Sequence, residues 1–439
     1  MGGRFVLERI VSRYCLFRHG LFIGLCLLNT AVQAAEPPRA APPITWNDCV
    51  SELIRNNPQL QAAGATVEKA RTDVMGNYGP FLPQVSANAA IGKSNTELDT
   101  GYQDSTSYLA ALSANQTLFA GFNDLAALRR SQALLTGAEV AFQTTKSALS
   151  AALRQSFAQL LFAQDFTHLS DDIAARRKAN VNLVEMRFQA GRENKGSFLL
   201  SKAYYSQALF SVTQAQRNLK AAQQQMAATL GRHEIAPLAV TGAWTTVTLP
   251  AKPNFTELAM QTPSYRQAAA QVRAAKEGVR IAKSVFYPTL AVNGSIGRSD
   301  DDSIIPKNDQ WSVGASLSYP LFSGGRDWHT VRGTQATQRF AEKTLDDTLN
   351  QTIATLESAF ATWQNAVELT GVQTEFLNAA EVRSEIARAQ YQNGLLSFSD
   401  WDLVENDLIS KQNALLASQR DAVLAQAGWE QALGTGVIP

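Results

Sequence analysis

The chain has 439 residues, of which 45% are hydrophobic and 18% charged, and its formal net charge is +1. Since positive and negative charges nearly cancel, the composition gives no reason to expect a nucleic-acid partner. Beyond the N-terminus no apolar run is long enough for a membrane-spanning helix. Any membrane crossing would therefore use strands.

The N-terminus has the pattern of a secretory signal peptide, which we predict over residues 1–34. Several arginines precede an apolar run from Leu21 to Leu28, which is too short to span a bilayer as a helix. Ala34 completes a motif with small or short residues at the two positions that a signal peptidase reads. The exported chain would keep only Cys49, which excludes an intrachain disulfide and a cysteine-based metal site.

The rest of the chain contains two copies of one sequence unit. Short segments of the first copy recur in the second at an offset of 205 residues near its start and of 203 residues further on. The matches are Phe81-Leu82-Pro83 with Phe286-Tyr287-Pro288, Leu118-Phe119-Ala120-Gly121 with Leu321-Phe322-Ser323-Gly324, and Phe188-Gln189-Ala190-Gly191 with Tyr391-Gln392-Asn393-Gly394. The offset changes between Gly92 and Leu118, so the copies differ in length at an expected loop.

Proline placement separates helices from the other elements, since an interior proline costs a helix about 3 kcal/mol. No proline lies between Pro83 and Pro237 or between Pro320 and Pro439. We predict an N-terminal periplasmic segment (35–57), a first repeat (58–231), an equatorial linker (232–262), a second repeat (263–434) and a tail (435–439). Each repeat would hold a helix, a β-hairpin (82–120; 288–322) and two long helices (124–190 and 197–231; 327–393 and 397–434).

Apolar residues in the predicted helices are spaced for a coiled coil. In the second copy they recur at steps of three and four residues: Leu345, Leu349, Ile353, Leu356, Phe360, Trp363 and Val367. Leu153, Phe157 and Leu160 hold equivalent positions in the first copy. Such steps make a narrow stripe on one helix face. A helix over 124–190 would extend about 100 Å at 1.5 Å per residue, longer than the core of one globular domain.

Glycines break the two long helical tracts at Gly191 and Gly394. Glycine tolerates the left-handed conformation that often ends a helix, and Ser197 and Ser397 can cap the helices that follow. Each turn therefore predicts a tight helix reversal. Both reversals would lie at the end of the molecule farthest from the strands.

Alternating residues predict two β-hairpins. In the clearest strand one face carries Trp311, Val313, Ala315, Leu317 and Tyr319. The aromatics at its two ends would lie about 26 Å apart at 3.3 Å per residue, which suits a lipid-facing band between two membrane interfaces. We expect exposed hairpin loops at Lys93–Ser107 and Arg298–Asp309.

The four predicted strands cannot close a barrel within one chain. An open sheet edge inside lipid leaves backbone groups unpaired, so association of several chains is required. Three chains would supply 12 strands, which lies within the size range of outer-membrane barrels.

No pattern of catalytic, cofactor-binding or metal-binding residues stands out. The histidines of the exported chain, His168, His233 and His329, are scattered, with no carboxylate or thiol at ligand spacing. Asp300-Asp301-Asp302 resembles the start of a calcium loop but lacks the glycine and the terminal glutamate of that loop. We therefore expect no enzyme activity, no cofactor and no bound metal.

The repeated hairpins and long helices, with glycine turns after Phe188 and Tyr391, resemble the TolC family of outer-membrane efflux proteins over nearly the whole exported chain. The resemblance implies a mainly α fold: a long α-helical coiled-coil barrel in the periplasm, and four strands per chain in a 12-stranded trimeric membrane β-barrel. It also implies a homotrimer in outer-membrane lipid that conducts substrates passively. A periplasmic membrane-fusion adaptor and an inner-membrane pump, of RND, ABC or similar class, would supply substrate and energy.

The resemblance further implies a periplasmic gate at Tyr391, Asp400 and Asp402. Tyr391 matches a tyrosine that ties neighbouring helices at the entrance, and Asp400 matches an aspartate that rings the constriction. The second aspartate of that ring falls on Leu403, with Asp402 adjacent. Asp400 also has a second interpretation, as a carboxylate that favours a helix N-terminus.

Six residues at the helix turns are predicted to contact the adaptor: Gly191, Arg192, Glu193, Gly394, Leu395 and Leu396. The first turn is polar and the second apolar, so polar and apolar tips would alternate around a trimer. Leu396 stands where the family has a gate arginine, and Ser197 where it has an aspartate. The bonds that lock this gate would therefore differ from those of the family.

Two functions are open on the sequence. The first is an outer-membrane exit channel for efflux or type I secretion, whose substrate could be a drug, a metal ion or a polypeptide. The second is a secreted coiled-coil scaffold of the envelope that conducts nothing. The strand that begins at Trp311 favours the first function, because a scaffold needs no lipid-facing strand.

Overall fold

The computed structural model describes residues 43–98, 101–232, 237–244, 249–301 and 303–438. The predicted signal peptide, His233 and Asp302 lie outside these residues. The helices are α1 (Trp46–Asn56), α2 (Pro58–Gly76), α3 (Asn123–Gln189), α4 (Lys195–Leu230), α5 (Phe255–Gln261), α6 (Pro263–Lys283), α7 (Arg326–Gln392) and α8 (Phe398–Leu433). The strands are β1 (Gln84–Leu98), β2 (Gly101–Ala120), β3 (Thr289–Asp300) and β4 (Asn308–Ser318).

The two copies start their first helix in the same way. Proline at the first helical position, Pro58 in α2 and Pro263 in α6, lacks only an N–H that a helix start leaves unbonded. The residue before each proline is the N-cap. Asn57 and Thr262 each accept a hydrogen bond from the backbone N–H three residues on, at 3.0 and 3.4 Å.

The long helices α3 and α7 organise the packing. The helix α3 contacts α2 and α4 of its own copy and α6 and α8 of the other, while α7 contacts α6 and α8. In the half of the fold that ends at the glycine turns, the helices therefore lie side by side in the order α4–α3–α8–α7. In the half next to the strands the order is α2–α3–α6–α7. None of the described helices is both long enough and apolar enough to cross a bilayer.

Two hydrophobic cores lie halfway along α3 and α7. In the first, Leu153 and Leu160 pack with residues of α1 and α4. In the second, Leu356, Phe360 and Trp363 pack with α5 and α8. These five side chains are at most 5% exposed. The coiled-coil stripe predicted from the sequence is thus confirmed, and its residues are most deeply buried near the middle of the helix.

Segments outside the two repeats complete these cores. The helix α1 lies in the predicted N-terminal segment and α5 in the predicted linker, and the sequence pattern indicated neither. Ile44 pairs with Val240 of the linker as a short parallel bridge. In the tail Ile438 is buried in the first core, and its N–H donates to Oγ of Ser150 at 3.2 Å.

The strands form one antiparallel sheet in the order β1-β2-β3-β4, so the prediction of four strands is confirmed. The pairing of β2 with β3 joins the two copies. The predicted hairpin loops were too long. Residues Lys93–Ser107 belong almost wholly to β1 and β2, which pair up to Leu98 and Gly101, and the second loop is shortened to 301–307. Polar side chains there bond across the strands, as Asn95 does with Asp104, so polarity did not indicate a loop.

Candidate functional site

One face of the sheet is apolar and exposed. The register places Leu112 of β2, Ile296 of β3 and Trp311 of β4 in one row across the strands. Trp311 is 78% exposed and Val313 is 74% exposed. Ala315 and Leu317 continue the same face. Tyr319 lies one residue beyond the end of β4, so it borders this face rather than belonging to the paired strand. Contiguous apolar surface of this kind marks a contact with lipid or protein.

The opposite face of the sheet is polar and uncharged. Hydroxyl groups pair across the strands on this face: Ser86 with Ser113 at 2.8 Å, and Ser295 with Ser312 at 2.9 Å. Apart from Leu109, its other described side chains are amides, hydroxyls and small residues. Every charged residue of the four strands lies on the apolar face, near the hairpin ends: Lys93, Glu97, Asp104, Arg298, Asp300 and Asp309.

The outer strands of the sheet are unpaired within the chain. In the described part of the chain, β1 pairs only with β2, and β4 pairs only with β3. Each outer strand therefore presents a row of free N–H and C=O groups, which invite another strand. Both edges of the sheet are therefore able to pair with further strands.

The two glycine turns have the predicted geometry. Gly191 and Gly394 have φ of 70° and 76°, in the left-handed region, so the expectation for both is confirmed. The next residue donates its N–H back across each turn, Arg192 to the carbonyl of Arg187 at 2.8 Å and Leu395 to that of Gln390 at 2.9 Å. These bonds satisfy carbonyls that the helix end leaves free.

The caps after the two turns differ from each other. Ser397 caps α8 as predicted, since its hydroxyl accepts from the N–H of Asp400 at 3.1 Å. The prediction that Ser197 caps the other helix was wrong. Asn194 is the cap, its Oδ1 accepts from the N–H of Ser197 at 2.9 Å, and α4 begins at Lys195. An asparagine three residues earlier competes well for this role, because Asn is at least as strong an N-cap as Ser.

Tyr391 lies buried between the two turns. Its hydroxyl donates to Oε2 of Glu193 at 2.9 Å, and its ring stacks on Trp401 with a centroid distance of 4.3 Å. The guanidinium of Arg187 lies 4.6 Å from the ring centroid and donates to the Tyr391 carbonyl at 2.7 Å. Burial raises the pKa of the Tyr391 phenol, and the bond to Glu193 raises it further. The phenol therefore keeps its proton and ties the second turn to the first.

The candidate gate aspartates lie on different sides of α8. Asp400 is exposed and accepts a hydrogen bond from the Ser397 hydroxyl at 2.7 Å, as a carboxylate in the first helical turn does. Leu403, which is 67% exposed, borders the same surface hollow as Asp400. Asp402 instead faces α3, where Oδ1 lies 3.4 Å from Nη1 of Arg177. Asp400 and Leu403 thus share one side, and Asp402 is engaged within the chain.

The six tip residues differ in how far they are exposed. Arg192 is exposed, and Leu395 is 78% exposed. Glu193 is half-buried because it accepts the Tyr391 bond. Leu396 packs on the hydrophobic cluster around Tyr391. A partner approaching the tips therefore meets mainly the two glycine turns, Arg192 and Leu395.

A buried polar network near the tips escaped the sequence prediction. The carboxylate of Glu405 is fully buried and receives two hydrogen bonds from Arg176 at 2.7 and 2.8 Å. Asn180 donates to it at 2.9 Å and Ser384 at 2.7 Å. The network therefore joins α3, α7 and α8. Arg388 extends it by donating to Oδ1 of Asn180 at 3.3 Å.

The protonation state of Glu405 follows from these partners. Burial alone raises the pKa of this carboxyl, but the bonds from Arg176, Asn180 and Ser384 outweigh burial and lower it to about 2. One sequence signal could have revealed the site. Glu405 interrupts the apolar stripe of Trp401, Val404 and Leu408, all of which are buried. A carboxylate at a core position needs a partner.

No three His, Cys, Asp or Glu side chains come together as a metal site in the residues that the structure describes. The structure combines two features. One is a sheet with an apolar face, a polar face and two open edges, and the other is a helical end stabilised by the contacts of Tyr391 and Glu405. This combination defines a class of protein, the outer-membrane channel built from strands and long periplasmic helices.

Comparison with known families identifies the chain more closely. The model of the family described as outer membrane efflux protein matches residues 49–236 and 256–435, so the chain belongs to this family. The outer-membrane location and the efflux or secretion function predicted from the sequence are thereby confirmed for the family as a whole.

Individual relatives are distant but cover most of the chain. Outer membrane protein TolC of Escherichia coli strain K12 is 23% identical over 398 residues, which are 87% of this chain and 80% of TolC. Alkaline protease secretion protein AprF of Pseudomonas aeruginosa is 25% identical over 398 residues, 85% and 81% of the two chains. A solved structure of CusC superposes with a TM-score of 0.81 at 19% identity, covering 89% of this chain and 92% of that chain. The TolC-like fold is thus confirmed.

Proposed function

We propose that three copies of this chain assemble into a passive exit duct, with a 12-stranded barrel in the outer membrane and a helical tunnel in the periplasm. The observation that carries the proposal is the sheet. Its apolar face suits lipid, its uncharged polar face suits a water-filled lumen, and its two open edges need strands from other copies.

The duct has no energy source of its own, so it needs partners. A periplasmic membrane-fusion adaptor would contact the exposed tips at Arg192 and Leu395, and an inner-membrane pump of RND, ABC or similar class would deliver the substrate. The names of relatives point to different cargoes. AprF is named for alkaline protease secretion and CusC for cation efflux. The pump, rather than the duct, would therefore select the substrate.

A direct experiment distinguishes the duct from a scaffold that conducts nothing. The purified protein is reconstituted in planar bilayers, and its mobility on SDS gels is compared before and after heating. A duct gives discrete conductance steps and a heat-sensitive trimer band in the outer-membrane fraction. A protein found in the soluble fraction, without conductance, would overturn the proposal in favour of the scaffold.

Tyr391 and Asp400 would form the periplasmic gate of this duct. The Tyr391–Glu193 bond holds the second helix turn against the first, and three Asp400 side chains around a threefold axis would ring the entrance. Asp402 forms an ion pair with Arg177 within the chain, so the exposed Leu403 would be the second residue of the constriction.

Removing the Tyr391 hydroxyl is expected to loosen the gate. A hydrogen bond to a charged group contributes about 1.5–3 kcal/mol, so Tyr391→Phe should raise the open probability roughly 10-fold or more. Single-channel recording in planar bilayers measures it. Tyr265→Phe, in α6 and away from the turns, is the control. An unchanged open probability in Tyr391→Phe would remove the phenol from the gate.

The adaptor contact gives a second expectation. Arg192→Glu reverses the exposed charge, and Gly394→Val forces a branched side chain into a left-handed position, which strains the tip. The double variant should lose export by the complete pump system while keeping its heat-sensitive trimer band. Export at the wild-type rate would exclude these tips as the docking site.

A further inference from the structure

The order α4–α3–α8–α7 in the tip half of the fold leaves one side of two helices uncovered. The helix α4 has α3 on one side only, and α7 has α8 on one side only. In α4 the residues that face α3, such as Ala208 and Ala215, are buried. In α7 the residues that face α8, such as Ala380 and Ala387, are buried. The other sides of both helices are exposed, and we call them the α4 edge and the α7 edge.

The α4 edge is purely cationic. Within Lys195–Leu230 there is no Asp or Glu, and the charged residues are Lys195, Lys202, Arg217 and Lys220. All four are exposed. None of them makes an ion pair with another described residue of the chain. A helix with one sign of charge and no ion-pair partner among the described residues has a surplus of positive charge for a neighbour to neutralise.

The α7 edge has the opposite sign. Its tip half carries four exposed carboxylates: Glu368, Glu375, Glu381 and Glu385. None of them is ion-paired within the described chain, although Glu381 and Glu385 lie close enough to Arg176 to raise its pKa. The cations of the same stretch are already engaged. Arg383 lies 3.7 Å from Asp407, and Arg388 donates to Asn180.

The charged residues of the two edges also lie at similar distances from the glycine turns, measured along the helices. The turns at the ends of α3 and α7 lie level, because Tyr391 bonds to Glu193 and Arg187 bonds to the Tyr391 carbonyl. Measured from the turns at 1.5 Å per residue, Arg217 and Lys220 lie about 33–38 Å along α4. On the same scale Glu368 and Glu375 lie about 26–36 Å along α7. Long charged side chains span the remaining difference.

We propose that the α4 edge of one copy docks on the α7 edge of the next copy, and that these opposite charges fix the pairing. The inference rests on the trimeric duct proposed above and deepens it by naming the contacting surfaces. Such a contact is heterologous, since two different edges meet, and repetition of it closes a ring. Each exposed pair of opposite charges adds little binding energy. Together, however, such pairs favour the correct edge and the correct alignment along the helices over contacts that bring like charges together.

Charge reversal tests the pairing. The basic-edge variant is Arg217→Glu with Lys220→Glu, and the acidic-edge variant is Glu368→Lys with Glu375→Lys. Each is expected to lower the fraction of heat-sensitive trimer at least 10-fold in detergent at low salt. A chain carrying all four changes restores opposite charges across the contact, and its trimer fraction should return to within about twofold of the wild type. Asp421→Lys, on the interior helix α8, is the control and should leave the trimer intact.

The outcomes separate this inference from the proposed function. A wild-type chain that forms no trimer would overturn the proposed duct itself. A wild-type trimer that tolerates both edge variants would leave the duct standing and overturn the charge pairing. Loss of trimer in the four-change chain would also overturn the charge pairing. Recovery of the trimer in that chain is expected only if the two edges contact each other, because misfolding of the single-edge variants would not be reversed by combining them.

Discussion

Replacing Glu405 with alanine is expected to weaken the packing of α3 against α7 and α8 by about 3–5 kcal/mol. The change leaves the partly buried Arg176 guanidinium without its carboxylate, and it removes acceptors from the buried Asn180 and Ser384. Hydrogen exchange measures the effect locally. Amides of 176–189 should exchange on the order of 100-fold faster or more, while those around Leu153 in the mid-helix core should change little.

A matched double variant checks the cause of that effect. Arg176→Met with Glu405→Leu removes both charges and fills similar volume, so most of the lost protection should return. If Glu405→Ala alone exchanges like the wild type, the network does not hold the tip half together.

The same network sets an expectation for pH. The pKa of Glu405 is lowered to about 2 in the folded chain, so its contribution to stability is complete above its ordinary range, near 4.5. It is lost only as the pH falls from there towards 2. Amide protection of 176–189 should therefore hold at pH 5 and fall in stronger acid. Loss of protection between pH 7 and 5 would contradict the low pKa.

A charge on the apolar face of the sheet is expected to hinder insertion into the membrane. Val313→Arg should disfavour insertion by about 2–4 kcal/mol if this residue lies near the middle of the membrane, because Val313 is in mid-strand and 74% exposed. The measurement is the yield of heat-sensitive trimer in the outer-membrane fraction, which should fall at least 10-fold.

The neighbouring residue provides the control. Ser312 lies on the polar face, where its hydroxyl pairs with that of Ser295. Ser312→Arg should assemble nearly as well as the wild type, because its guanidinium would lie in water. Equal yields from the two variants would show that the faces of the sheet are not divided between lipid and lumen as proposed.

The long helices and strands could be predicted because their signals are local. Steps of three and four apolar residues, absence of proline and alternation in the strands each depend on near neighbours in sequence. The helices α1 and α5 were missed because both are short and lie outside the repeated unit. The lengths of the hairpin loops were overestimated because charged residues also occur near the ends of paired strands, where Lys93 and Asp104 form an ion pair.

The structure at the helix turns was predicted only in part. Gly191 and Gly394 were found because a left-handed turn requires glycine, which is a property of the residue itself. The partners of Tyr391 and Glu405 could not be found in this way. Arg176 and Glu405 are separated by 229 residues, and no local pattern links them.

The sequence by itself determined the duplicated unit, the helix reversals and the period of each element, since all of these are properties of a chain and its neighbours. Only the tertiary structure decided which charges are satisfied. It buried Glu405 among three helices, turned Asp402 towards Arg177, and left the α4 and α7 edges with opposite unpaired charges. The reason is geometric. Helix rotation and helix order set which side chains meet, and both depend on packing between residues far apart in the chain.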